Sequence, residues 1–505
     1  AVIAHRTSPT NMGLALLANL AAWDFGYIGG GELLLRCDNT LGSMSKLERY
    51  KGHFFNWYDT ISMLPLPPRY VSTVDSGNLS GHLLTLRQGF LAFSGQPVFS
   101  NRIFEGLYTA ADVMHELSTT IHLEAAERLK ALLTATAEKS LSLSTVIHLL
   151  DEVSMIAQLA GDLKVSGNGS GPAGDDDETD SSKWINKLSV QVKLHRDDLT
   201  QLCPWADLLP VPTRFIHLAA ADDIPSLRSL QDLPGLLLPA IDVYEQQSNS
   251  PEDKIWLSQM RGSLLQGSAM AGKRIRQSEL LAEQCEQLSN AEYDFLLDKS
   301  TGLLSIGYNM EEQIKDASYY DLLASEARLG IFVAIAQGKL PQESWFSLGR
   351  LLTYTGGDQV LLSWSGSMFE YLMPQLVMPT YENTLLYQTS KATVRRQIDY
   401  ASQQRVPWGI SESAYNTVDA SLNYQYRAFG VPGLGLKRGL KEDLVIAPYA
   451  SMLALMVAPA KACSNLQVLS AAGFEGEYGF FEAIDYTPSR VPRGKTHAII
   501  HSFMV

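Results

Sequence analysis

Cysteine is scarce in this chain of 505 residues. Cys37, Cys203, Cys285 and Cys463 are too few and too far apart for a disulfide framework or a metal-binding Cys pair. They read as free, packed thiols in a reducing compartment. A basic surplus is also missing: 40 Lys and Arg face 54 Asp and Glu, a net charge of −14, which excludes the footprint of a nucleic-acid binder. Runs of eighteen apolar residues are absent, which argues against a transmembrane helix or direct membrane insertion. The first residues show no signal-peptide layout and begin as though cut from a longer chain. Walker A, Gly-x-Ser-x-Gly and His-Glu-x-x-His patterns do not occur. Gly433-Leu-Gly435-Leu-Lys437-Arg438-Gly439 has the wrong glycine spacing for a dinucleotide fingerprint, and no βαβ unit surrounds it. Asp175-x-Asp177 has the form of a metal motif, but it lies in an acidic, low-complexity stretch, 166–182, that reads as a disordered linker. No metal and no organic cofactor is expected.

What remains is an ordinary globular composition, 46% hydrophobic and 19% charged, with length for two to four domains. Helical periodicity dominates. It predicts helices over 11–25, 81–93, 107–137, 142–164, 189–203, 254–297, 317–337, 365–377, 384–404, 447–457 and 461–472. Strand signals are short, at 302–307 and 496–503. The pattern predicts an all-α toroid whose paired helices leave one loop-lined face for function. Residues 101–289, poor in aromatic and amide clusters, read as a helical insertion or scaffold. Residues 1–100 and 290–505 carry the chemistry.

The stretch Val406–Asn416 is the densest in functional groups: Trp408, Ser411, Glu412, Ser413, Tyr415 and Asn416. Aromatic faces that stack on sugar rings, beside amides, hydroxyls and a held carboxylate, are what a carbohydrate site needs. Similar clusters recur between helical runs. They supply Trp57 and Asp59, Asp75, Trp364 and Glu370, Glu382, Tyr426 and Arg427, and Glu482 and Asp485 as candidate substrate-binding residues. Trp57, Trp364 and Trp408 are the expected stacking platforms. Glu326 is the second carboxylate of note. In the series Leu322, Glu326, Leu329, Val333 it falls on the apolar stripe of its predicted helix. Burial there either raises its pKa, as suits a general acid, or pairs it with an arginine for structural reasons.

Several of these stretches resemble the central, glucoamylase-like region of cyclic β-1,2-glucan synthases. They are Arg6-Thr7-Ser8-Pro9-Thr10-Asn11, Gly52–Asp59, Asp316–Arg328, Trp408–Ser413, Asn423–Gly439 and Tyr478–Tyr486. The likeness spans about 1–100 and 290–505 and is weaker between. It implies an (α/α)6 barrel related to the endo-β-1,2-glucanases, with a helical insertion and minor β elements. It implies β-1,2-glucan as substrate and a place on the cytoplasmic face of the bacterial inner membrane. There the parent polypeptide also carries glycosyltransferase and phosphorylase-like regions. Carried over by motif, Glu326 is the general acid/base and Glu412 the nucleophile of a retaining transglycosylase that cyclises or disproportionates the glucan. An inverting endo-β-1,2-glucanase and a non-catalytic glucan-binding module are the rival readings. Two departures stand out. Phe481 replaces a tyrosine of the family pattern, and that pattern continues past Ser502-Phe503-Met504, so barrel closure is expected to draw on residues beyond Val505.

Overall fold

A computed structural model describes residues 5–118, 120–136, 141–162, 180–420, 422–476 and 479–501. Asp175-x-Asp177, Tyr478 and the end of the expected 496–503 strand lie outside the described residues. The described residues are mostly helical, 57% helix against 12% strand, and the strands among them form short two- and three-stranded sheets that do not close. The helices in order are α1 (Pro9–Asp24), α2 (Gly30–Met44), α3 (Thr73–Phe93), α4 (Asn101–Leu117), α5 (Thr120–Thr136), α6 (Leu143–Asp162) and α7 (Asp180–Leu202). They continue with α8 (Leu227–Gln247), α9 (Pro251–Ser289), α10 (Ala327–Ala336), α11 (Glu343–Ser347), α12 (Met368–Leu372), α13 (Leu385–Gln404), α14 (Tyr449–Leu453) and α15 (Pro459–Ala471).

Two compact units emerge. One comprises 16–44 and 86–286; the other comprises 1–15, 45–85 and 287–505. The first is a helical body in which α4 packs on α5 and α7, and α6 on α5 and α7. Helix α6 is long and apolar enough to cross a membrane by length and composition. Its apolar side (Val146, Leu150, Val153, Ala157) is nevertheless buried in this body. A buried ion pair, Arg274–Asp198 at 2.6 Å, ties α9 to α7, and Asp198 also accepts from the Gly31 N–H at 3.2 Å.

The second unit is assembled from distant segments. Tyr70–Ser72 pairs antiparallel with Gly307–Asn309, which pairs with Ile314–Lys315. Arg6–Thr7 pairs with Tyr58–Asp59, and the buried His53 ring bonds the Glu292 carbonyl at 2.7 Å. Helices α3 and α10 meet through glycine. A Cβ on Gly77 would stand 2.3 Å from the Gly330 Cα, so only hydrogen at both positions permits this approach. A second sheet joins Val445–Ile446, Ala483–Asp485 and Ala498–Ile500.

Several expectations about helices need correction. The 107–137 helix is two, α4 and α5, because Ser118 turns extended and its hydroxyl bonds back to the Met114 carbonyl. The 317–337 helix begins only at Ala327. Residues 318–322 are tied instead to neighbouring loops, through Ile306 N–H to the Ser318 carbonyl and Leu322 N–H to the Gly349 carbonyl. Helices α2 and α8 were not expected at all; α8 contains Pro234 and Pro239.

Candidate active site

Two stretches present the central carboxylates. Glu326 sits at the N-terminal edge of α10, one residue after Ser325, whose φ of +51° is unusual for a residue with a side chain. The Gly77–Gly330 contact brings α3 alongside, so the Asn78 Nδ2 donates to Glu326 Oε2 at 3.2 Å. The Ser325 hydroxyl reaches the same oxygen at 3.2 Å. Glu326 is 4% exposed, and its Oε1 has no protein partner. Burial, then the charges of Glu412 and Glu370, push its pKa up to about 8. A carboxyl in this state keeps its proton at neutral pH.

Glu412 follows a loop held from three sides. Gln397 of α13 brackets Ile410 with two hydrogen bonds, at 2.7 and 2.8 Å. Asn465 of α15 does the same for the Trp408 backbone, and the Ala447 N–H donates to the Gly409 carbonyl. Gly409 has φ +124°, open to glycine alone at little cost. The Tyr449 hydroxyl lies 2.8 Å from both Ser411 Oγ and the Glu412 carbonyl. Glu412 is surrounded by protein yet keeps some accessible surface. Tyr426, opposite on the Ser413–Val418/Tyr424–Arg427 hairpin, donates to Glu412 Oε2 at 3.0 Å. Burial and the Glu370 charge raise Glu412 to about 7, while the Tyr426 bond and the Lys437 charge pull it down. The two glutamates are electrostatically coupled, so they titrate as a pair.

A glycine-rich loop completes this part of the unit. Gly430, Gly435 and Gly366 allow 363–366 and 430–437 to lie backbone on backbone; a Cβ on Gly430 would fall 1.8 Å from the Ser365 carbonyl oxygen. Leu436 N–H and Lys437 N–H donate to the Ser363 and Trp364 carbonyls. The register leaves Trp364 58% exposed and places Lys437 where it feels both Glu370 and Glu412.

Other sequence candidates fall into distinct groups. Asp75, on the first turn of α3, bonds the Thr10 hydroxyl at 2.6 Å and its charge reaches Glu412. Burial raises its pKa. Glu482 accepts from the Ala414 N–H at 3.1 Å and its charge reaches Tyr426 and Tyr449. Trp57 is 38% exposed with the Arg6 guanidinium 5.2 Å from its ring centre. Protein contacts engage most of the remaining candidates. Trp408 is 7% exposed and belongs to the core. Asp59 caps its own turn through Ile61 and Ser62, bonds that lower its pKa. Asp485 is fully buried on Arg490 at 2.7 Å. Tyr415 packs edge-on to Phe429 under the same arginine. Arg427 pairs with Asp443, Glu382 is exposed, and all four hydrogen bonds to the buried Glu370 carboxylate come from backbone N–H groups.

Sequence reasoning did not single out Asn78, Lys437 or Tyr449 as site residues. Asn78 lies three residues after the candidate Asp75, and Lys437 lies in the glycine motif, but pairing them with a carboxylate requires the fold.

Residues 318–505 match the family model described as "Putative glucoamylase". The chain is 35% identical, over 99% of its length, to the cyclic beta-(1,2)-glucan synthase NdvB of Rhizobium meliloti, and spans 16% of that protein. It therefore carries a glucoamylase-like region, as the motifs implied. Among solved structures, an endo-beta-1,2-glucanase from Chitinophaga pinensis aligns with a TM-score of 0.45 and 11% identity, covering 98% of this chain and 79% of that one. A beta-1,2-glucanase from Parabacteroides distasonis aligns at 0.38 and 12%, covering 99% of this chain and 50% of that one.

Proposed function

We propose that this chain acts on β-1,2-glucan as an anomer-retaining transglycosylase. The observation that carries the reading is the carboxylate pair. Glu326 is buried with its pKa raised, and Glu412, raised less, has one oxygen bonded by Tyr426. The length-wise similarity to a cyclic glucan synthase supplies the substrate class.

In this mechanism a Glu412 carboxylate oxygen attacks the anomeric carbon while the bond to the neighbouring sugar's O2 breaks. Glu326 gives its proton to that departing oxygen, directly or through a substrate hydroxyl. A glycosyl ester on Glu412 results, and Glu326 is left ionised. It then takes the proton of an incoming 2-OH, which attacks the same carbon and releases Glu412. An acceptor on the same chain closes a ring; one on another chain disproportionates. Two inversions retain the anomer. Trp364 and Trp57 serve as stacking platforms, and Asp75, Tyr426 and Glu482 meet sugar hydroxyls. We assign the chemistry to the 1–15, 45–85 and 287–505 unit and a scaffolding role to the other. The parent polypeptide, by the same likeness, works at the cytoplasmic face of an inner membrane beside glycosyltransferase and phosphorylase-like regions.

Incubation with linear β-1,2-glucan tests this. Expected products are rings lighter by one water than the linear chains, with retained anomeric configuration by NMR, and none from Glu412→Gln. First-formed α products without rings would make the protein an inverting glucanase. Binding without turnover would make it a glucan-binding module.

A further inference from the structure

Glu370, on α12, is 4% exposed. Its carboxylate collects three backbone N–H groups. Ser325 N donates to Oε1 at 3.3 Å, Ser365 N lies 3.2 and 2.9 Å from Oε1 and Oε2, and Gly366 N donates to Oε2 at 3.1 Å. Its own carbonyl accepts from Arg328 Nη1 at 2.7 Å. The donors belong to two different loops. Ser325 immediately precedes Glu326, and Ser365 immediately follows Trp364.

The first loop carries backbone that needs holding, since Ser325 has φ +51°; in the second, Gly366 takes φ +76° at little cost. A side-chain-bearing residue stays in that region only when its surroundings fix it. Three converging N–H groups call for an acceptor without hydrogens of its own, which an ionised carboxylate is and an amide is not. Charged groups on three segments lie near enough to interact with this carboxylate. Glu326 and Arg328 face it from the start of α10, Glu412 from the Trp408–Ser413 loop and Lys437 from the glycine loop. Arg328 does not neutralise it by an ion pair; that guanidinium donates to the carbonyls of Glu370 and Tyr371.

We propose that Glu370 is a positioning residue: one buried carboxylate that locks the Ser325 turn and the Trp364 loop in a single register, so that the acid Glu326 and the Trp364 platform address the same glucan. It acts through these neighbours without touching substrate. Its charge also strengthens proton binding at Glu326 and Glu412, so fixing the loops and tuning the pair are one device. This rests on the transglycosylase reading above.

Glu370→Gln and Glu370→Asp test it, with turnover of β-1,2-glucan followed against pH and melting followed on the same preparations. Glu370→Gln removes the charge and points an amide N–H2 at an N–H donor. Its kcat is expected to fall about tenfold or more, with both limbs of the pH profile moved to lower pH. Its melting temperature should also lose less between pH 5 and pH 8 than the wild type does, a readout that needs no turnover. Glu370→Asp keeps the charge and loses reach, so kcat should fall while the limbs stay in place. Unmoved limbs and an unmoved melting slope in Glu370→Gln would overturn the proposal, reducing Glu370 to a structural residue. Should Glu370→Gln fail to fold, wild-type kcat in Glu370→Asp would overturn it equally. Wild-type turnover that Glu412→Gln abolishes leaves the functional reading standing whatever Glu370 does.

Discussion

Replacing Glu326 with Gln should stabilise the protein while abolishing catalysis, and the stabilisation should depend on pH. The amide can still accept from Asn78 and Ser325, which both bond one oxygen. What it removes is the cost of ionisation in a buried site. Glu326 is raised from 4.5 to about 8 by burial first and neighbouring carboxylates second. The folded protein therefore binds this proton more tightly than the unfolded chain. Stability is fullest below about 4.5 and declines as pH rises towards about 8. At ~1.4 kcal/mol per pK unit the gap corresponds to an upper bound on the order of 4–5 kcal/mol above pH 8. Sharing of the proton with Glu412 and local relaxation reduce this, leaving roughly 1–3 kcal/mol. For a unit of this size that is a rise of roughly 3–8 °C in melting temperature at pH 8, shrinking to about 2 °C or less at pH 5. Differential scanning calorimetry of both proteins at the two pH values measures it. A Glu326→Gln protein that melts lower than wild type at pH 8 would refute the reasoning, because it would mean that the carboxylate is held by a structural ion pair.

Other outcomes follow from the same geometry. Trp364→Ala should weaken glucan binding by on the order of 1–2 kcal/mol at unchanged melting temperature. Trp408→Ala should cost ~3–5 kcal/mol of stability with unchanged affinity per folded molecule, and calorimetry beside titration on both variants separates the two roles. Tyr426→Phe deletes a hydrogen bond that favours ionised Glu412, so the acid limb of the pH–rate profile should move up, opposite in direction to Glu370→Gln; an unmoved limb would dissociate Tyr426 from the nucleophile. Gly77→Ala forces a Cβ to 2.3 Å from the Gly330 Cα; overpacking of ~1–3 kcal/mol should lower the melting temperature, and displacement of Asn78 should lower kcat as well.

By itself the sequence determined the helical character, through apolar residues at helical spacing, and it proposed candidate loops, through aromatics set beside amides and carboxylates. It also singled out Glu326 and Glu412 as candidates, and the fold brings them close enough for the charge of one to act on the other. It misplaced the start of α10. The spacing of Leu322, Glu326, Leu329 and Val333 satisfies a helical stripe, and nothing local shows that Ser325 takes a left-handed turn with its N–H on Glu370. It passed over α8 because proline's local cost is visible while the burial that offsets it is not. Most of all, composition cannot separate a polar group that faces substrate from one that faces protein. Asp485 and Arg427 look like sugar ligands in sequence, yet their partners are Arg490 and Asp443, residues brought together only by the Val445–Ile446/Ala483–Asp485 sheet and the loops at its edge. Glu370 is the sharpest case. Its role depends on three N–H groups from loops 4, 5 and 45 residues away in sequence, and only the folded backbone brings those donors to one point.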